Sequence, residues 1–215
     1  MKLYTFFRSS ASYRVRIALN LKGLDYEQIP IHLRRGGGEQ LSAAYKAVNP
    51  QALVPALEDG GRTFTQSLAI IEYLEERFPK PALLPGDPAD RALVRSMALL
   101  IACEIHPIQN LRVLLYLKKN LNRSDDEVNA WAQHWISLGL SALEQMRLSL
   151  PKAGAFCFGD TPTLADICLV PQLANARRFG IDLSPFPSIA TVEQNCLAVS
   201  AFANAAPEKQ PDAEP

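Results

Sequence analysis

Hydrophobic and polar positions change rhythm once along the chain. Up to Pro79-Lys80-Pro81 the apolar segments are short and switch between a period of two and a helical period. Lys2–Phe6 reads as a strand, and Ser12–Lys22 as a helix that Gly23 stops. Tyr26–Pro30 predicts a second strand and Glu39–Ala47 a second helix. Leu53–Leu57 and Arg62–Thr65 flank Glu58-Asp59-Gly60-Gly61, the signature of a tight hairpin. Ser67–Phe78 closes the region as a helix, with Leu68, Ile71 and Leu74 on one face and Glu72, Glu75 and Glu76 turned outward. The order β-α-β-α-β-β-α predicts a small α/β domain with a parallel start and an antiparallel pair.

After Pro85-Gly86-Asp87-Pro88 the strand pattern disappears, and prolines at that density mark a linker. Arg91–Leu121, Asp125–Ser149, Leu164–Phe179 and Pro187–Leu197 carry helical patterning, with a kink expected at Pro107. Thr163-x-x-Asp166 has the spacing of a capping box. The expected organisation is an α/β domain over 1–80, a linker over 81–87 and an all-helical domain over 88–206. Pro207, Pro211 and Pro215 among charges predict a flexible tail over 207–215.

Composition narrows the function. The chain of 215 residues is long enough to bury one large core or two small ones. Its 22 basic residues balance its 22 acidic ones, and no basic stripe suggests a nucleic-acid partner. Cys103, Cys157, Cys168 and Cys196 form no Cys-x-x-Cys pair, so neither a metal site nor a disulfide framework is expected. With no leader-like or bilayer-spanning segment, the expectation is a soluble cytoplasmic protein without membrane attachment.

Candidate chemistry gathers where helices begin. Phe7-Arg8-Ser9-Ser10-Ala11-Ser12 follows the first strand, so hydroxyls and unpaired backbone N–H groups favour a thiolate or carboxylate there. A simple N-cap cluster accounts for the same residues. Val54-Pro55 starts a strand with proline; a cis bond there would turn the valine backbone toward a peptide-like ligand. Gln66-Ser67 opens a helix and could receive a carboxylate, although a plain serine cap explains the pair better by itself. Arg14 and Arg16 are expected at solvent or an interface, and Arg177 as charge complementing a helix C-terminus. His32 and His134 are expected to be surface or structural, and Trp131 and Trp135 to pack in a core.

In this order and on these elements, the residues resemble the glutathione transferase superfamily, and its zeta class in particular. That class carries a run similar to Ser9-Ser10-Ala11-Ser12-Tyr13-Arg14-Val15-Arg16-Ile17-Ala18-Leu19, with cysteine where Ala11 stands and tryptophan where Tyr13 stands. Gln66 to Glu76, Leu83-Leu84-Pro85, Gly159 to Asp166 and Leu169-Val170-Pro171-Gln172 also resemble it. The resemblance implies a thioredoxin-like glutathione-binding domain followed by an all-helical domain, and a homodimer. It implies that Ser9, supported by Ser10, hydrogen-bonds the glutathione sulfur. Gln40, Val54, Gln66, Ser67, His106 and Asn110 would contact the tripeptide. Arg8, Arg112 and Arg178 would hold the carboxylates of a small dicarboxylate substrate.

The implied reaction is glutathione-dependent cis–trans isomerisation of a dicarboxylic cis-enedione, maleylacetoacetate or maleylpyruvate, in aromatic-compound catabolism. Conjugation or dehalogenation of small α-haloacids, or glutathione binding without catalysis, are the alternatives.

Overall fold

The structure, a computed structural model, describes residues 1–214. The chain forms two compact units: Met1–Ala82 together with the segment from Val199 onward, and Leu83–Ala198.

The first unit is built on β1 (Lys2–Thr5), α1 (Ser10–Leu21), β2 (Glu27–Pro30), α2 (Ala43–Val48), β3 (Ala56–Asp59), β4 (Arg62–Thr65) and α3 (Ser67–Arg77). The sheet order is β2-β1-β3-β4, with β1 parallel to β2 and antiparallel to β3. Asp59 pairs with Arg62 across Gly60 and Gly61, both at positive φ as a two-residue hairpin requires. Leu3, Val15, Leu19, Leu57, Ile70, Ile71 and Leu74 are withdrawn from water and form the core. Lys22, beyond the end of α1, is buried but satisfied: its three ammonium protons go to Glu75 Oε2, Phe78 O and Pro81 O at 2.8, 2.6 and 3.0 Å.

The expected helix over Glu39–Ala47 is two pieces. Glu39–Leu41 makes one 3₁₀ turn, then Ser42 turns extended and its hydroxyl accepts from Tyr45 N–H to start α2. Serine offers the backbone this local alternative to continuing a helix.

The expected flexible tail is packed on the first unit over its described part. A short helix, α9 (Ser200–Ala203), packs on α1. Gln210 is buried; its amide donates to Asn204 O and Ala206 O and its carbonyl accepts from Gln28 Nε2. Glu214 meets His32 and Arg35 at 3.2 and 2.6 Å. Proline and charge gave the segment its disordered look, whereas side-chain-to-backbone bonds hold it. Pro215 lies outside the described residues.

The second unit contains α4 (Pro88–Leu99), α5 (Leu111–Asn120), α6 (Asp125–Leu148), α7 (Leu164–Arg178) and α8 (Pro187–Leu197). α7 is buried along almost its whole length and packs on α4 and α8. Its start is fixed by Asp166, whose carboxylate accepts Thr163 N–H and O–H and Cys157 N–H, each at 2.7 Å. Glu144 on α6 plays the same part for α8, accepting from Ser188 and Ile189 N–H at 2.8 and 2.9 Å.

The single kinked helix expected over Arg91–Leu121 is instead α4, a π-helical segment over Leu100–Ile105, and α5. Asp87 caps α4 with Pro88 at its first position, so the helix begins earlier than its periodicity indicates. Pro107 has no N–H to continue the ladder, and Asn110 caps a new start. Trp131, expected in the core, is partly exposed and donates to Ile108 O at 3.0 Å.

Gly139 lets α6 approach the π-helical segment: a Cβ there would lie 2.3 Å from Ile105 Cγ1. Alanine is the better helix former by about 1 kcal/mol, but overpacking costs about 1–3 kcal/mol. Gly139→Ala is therefore expected to lower stability in urea unfolding despite its higher helix propensity.

Candidate functional site

The chemistry of the first unit centres on the turn Phe6-Phe7-Arg8-Ser9 between β1 and α1. Ser9 is the N-cap of α1: its Oγ accepts from Ser12 N–H at 3.2 Å. A hydroxyl that caps a helix spends a lone pair and keeps its proton for another acceptor. Ser10 is buried at the first helical position, and Ser12 is fully buried, which removes its hydroxyl from the three-serine cluster expected at the ligand.

Arg16 holds this turn from behind. It is fully buried, not at solvent or an interface. Its guanidinium donates to Thr5 Oγ1, Phe6 O and Phe7 O at 3.1, 3.4 and 3.0 Å, and to Ala205 O at 3.0 Å. Burial pulls its pKa down to about 10, so it remains a cation at neutral pH. Arg14 is buried too, and its Nη1 donates to Ser67 Oγ at 3.3 Å. One clue in the chain pointed to these positions: Tyr13, Val15, Ile17, Ala18 and Leu19 leave the helix apolar on every side, with no water-facing stripe for an arginine.

Ser67 opens α3, the one long helix of this unit whose start lacks a side-chain cap. Its first-turn N–H groups therefore lack the partner that Ser9 gives α1, and they suit a carboxylate. Gln66 is held at positive φ and its amide donates to Gln51 Oε1 at 2.8 Å. The Val54–Pro55 bond is cis. The loop before it is fixed by Leu53 O, which accepts from Tyr45 Oη and Asn49 Nδ2, both at 2.7 Å. The amide of Gln40 donates to Leu33 O at 3.4 Å. Arg8 is exposed on the turn.

In the second unit Asn110 links the His106 ring to the backbone N–H of Arg112. Asn110 Oδ1 accepts Arg112 N–H at 3.2 Å as the cap of α5, so its Nδ2 faces His106 Nε2, also at 3.2 Å. An amide donor on Nε2 makes that nitrogen the acceptor and places the neutral ring's proton on Nδ1. Gln109, between them, is buried and accepts from Asn175 Nδ2 at 2.8 Å, which ties this turn to the last part of α7. Arg177 there makes a bidentate pair with Glu193, which gives it a structural partner beyond the helix terminus. Arg112 and Arg178 are exposed.

Residues 3–82 match the glutathione S-transferase N-terminal domain, and residues 129–191 its C-terminal domain. The chain belongs to the glutathione S-transferase family. A maleylpyruvate isomerase of Ralstonia sp is 52% identical over 212 residues, 99% of each chain. A solved maleylpyruvate isomerase, a bacterial glutathione S-transferase of the zeta class in holo form, superposes with a TM-score of 0.97 at 51% identity, covering 100% of both chains. A maleylacetoacetate isomerase of Methylobacterium extorquens AM1, solved with bound malonate and glutathione, superposes at 0.96 with 39% identity, again covering 100% of both.

In this glutathione S-transferase Arg14 and Arg16, expected at solvent or an interface, are buried structural residues. Arg16→Leu would take the guanidinium donor from the carbonyls of Phe7 and Ala205 and from the Thr5 hydroxyl, leaving Phe6 O only Ser9 N–H, and is expected to cost about 3 kcal/mol or more. The same change at exposed Arg34 should stay within about 0.5 kcal/mol. Ser9→Ala should cost about 1 kcal/mol through loss of the cap, with Ser9→Thr near wild type. Urea unfolding of the four variants measures all of these.

Proposed function

We propose that this protein is a glutathione-dependent cis–trans isomerase of a dicarboxylic cis-enedione, maleylacetoacetate or maleylpyruvate. The observation that carries the reading is the Ser9 hydroxyl, held as a cap at the positive end of α1 with its proton left to donate. The uncapped start of α3 beside Ser67 supports glutathione as the cofactor, since a γ-glutamyl carboxylate fits those N–H groups.

When bound, glutathione supplies a thiolate that adds to the cis double bond, lets the resulting single bond rotate, and leaves again as the trans bond re-forms. The chain's own residues set the conditions for this. Ser9 donates its hydroxyl proton to the sulfur, and Ser10 with the first-turn amides of α1 adds to the local positive potential. Gln66 and Ser67 hold the γ-glutamyl group, with Arg14 fixing the Ser67 hydroxyl. The Val54 backbone pairs with the cysteinyl backbone, and Gln40 attends the glycine end after its amide leaves Leu33 O. Asn110 holds the His106 ring, and the family resemblance supports a glutathione contact for both. Arg8, Arg112 and Arg178 capture the substrate carboxylates and balance charge that develops on the neighbouring keto oxygen.

Ala11 replaces the cysteine of the zeta-class run and has no group to offer sulfur, so thiolate stabilisation falls to Ser9 and the helix start. A homodimer follows the family resemblance. Cys157 and Cys196, buried beside Asp166 and unbridged, accord with a reducing cytoplasm. Among the described residues no helix is long and apolar enough to cross a membrane.

The test is ultraviolet absorbance of maleylpyruvate and maleylacetoacetate with and without glutathione. Conversion to the trans isomer should require glutathione and leave no conjugate. Ser9→Ala is expected to lower turnover by about 10²–10³-fold. Arg178→Ala and Arg112→Ala should raise KM for the dicarboxylate by about 10-fold or more, with partial recovery in Arg178→Lys. No turnover of either substrate by protein that binds glutathione would sink the isomerase reading. Analytical ultracentrifugation is expected to give twice the chain mass.

A further inference from the structure

The segment after α9 is bound to the first unit at one further point. Asp212 Oδ2 accepts the N–H of Phe7 at 2.9 Å across most of the length of the chain. Phe7 lies in the turn that delivers Ser9, and its backbone groups and the Phe6 carbonyl all have partners. Phe6 O accepts from both Ser9 N–H, at 3.0 Å, and Arg16. Phe7 O accepts from Arg16. Phe7 N–H has Asp212 as its acceptor. The turn is therefore clamped from both sides: from within α1 by a cation that takes its carbonyls, and from the later segment by a carboxylate that takes its N–H.

Two more features show that the carboxylate is built in. Asp212 lies close enough to Arg16 for its charge to favour the guanidinium, alongside Tyr26 and Tyr13. Its neighbours in the chain are also fixed, Gln210 by three hydrogen bonds and Glu214 by His32 and Arg35, with Glu39 accepting from His32 N–H. Asp212 thus meets Phe7 from a held backbone. An acceptor that is ionised and preorganised makes a stronger bond to an N–H than a neutral one.

We propose that Asp212 is a positioning residue for the thiol-binding serine. Its carboxylate completes the bonds that immobilise Phe6–Ser9 and keeps the Ser9 hydroxyl where a thiolate is stabilised. The inference rests on the reading of Ser9 as the residue that binds the glutathione sulfur. It assigns the segment after α9 a function in the cofactor site.

The experiment uses full-length Asp212→Ala and Asp212→Asn with two readouts. The first is amide hydrogen exchange over residues 6–10 in protein without glutathione. The second is the ultraviolet absorbance of the bound glutathione thiolate, titrated with pH in the binary complex. Asp212→Ala removes the acceptor; exchange in the turn is expected to speed up by about tenfold or more, and half-ionisation of the bound thiol to move up by about one pH unit. Asp212→Asn keeps an oxygen for Phe7 N–H but sets an amide beside Arg16, so it should fall between wild type and Asp212→Ala in both readouts. A defect confined to packing would lower stability without moving the thiol titration.

Folded Asp212→Ala with wild-type exchange and titration overturns the proposal. If Asp212→Ala does not fold, Asp212→Asn decides by the same measurements. A wild-type protein that binds glutathione without ionising it overturns both this inference and the role given to Ser9. A wild-type thiolate band that titrates alike in the variants overturns the positioning role alone.

Discussion

A guanidinium removed from water survives only when its N–H groups meet acceptors, and Arg16 meets that requirement by gathering the backbone of two distant segments. The carbonyls of Phe6 and Phe7 and the carbonyl of Ala205 all point at one cation. Without it, a turn that exposes these carbonyls to a dry interior would be costly, and Ser9 would have no fixed place from which to cap α1. The helix start, the capping hydroxyl and the docked later segment thus meet at one buried charge. That charge persists at neutral pH because even its lowered pKa, about 10, lies well above it.

The second unit relies on side chains that do two jobs. Asn110 caps α5 with its oxygen and fixes the acceptor nitrogen of His106 with its amide, so a structural cap also decides a tautomer. Asp166 serves Thr163 and Cys157 at once, joining the start of α7 to the loop before it. Gln109 and Asn175 couple the turn that bears His106 to the end of α7 through one buried amide–amide bond. At Asp166 and in the Gln109–Asn175 bond the low-dielectric surroundings make the bond strong and leaving it unmade expensive.

These features bear on Ala11. A site that stabilised sulfur chiefly through a neighbouring thiol would be impaired by alanine there. A site that uses a hydroxyl at a helix N-terminus is not, because the donor and the dipole both belong to the frame around Ser9. Arg177 has its charge matched by Glu193, and Arg178 follows it at the exposed end of α7.

Local patterning was sufficient for most elements, because strand alternation, helical stripes and glycine stops are set by near neighbours. The Gly60-Gly61 hairpin, the start of α7 at Thr163 and the span of α8 all agree with it. Ser9 and Ser67 stood out as hydroxyls at helix starts, whereas the exposed arginines were singled out only by the family resemblance. What the sequence could not convey was which polar groups would be buried. Arg14 and Arg16 look like surface residues until Ser67, Phe6, Phe7 and Ala205 surround them. Gln210, Asp212 and Glu214 look like a loose tail until their partners, from Phe7 to Arg35, are in place. Near neighbours dictated the elements and offered the candidate side chains. The satisfaction of buried polar groups depends on atoms brought together from far along the chain, and only the tertiary structure decided it.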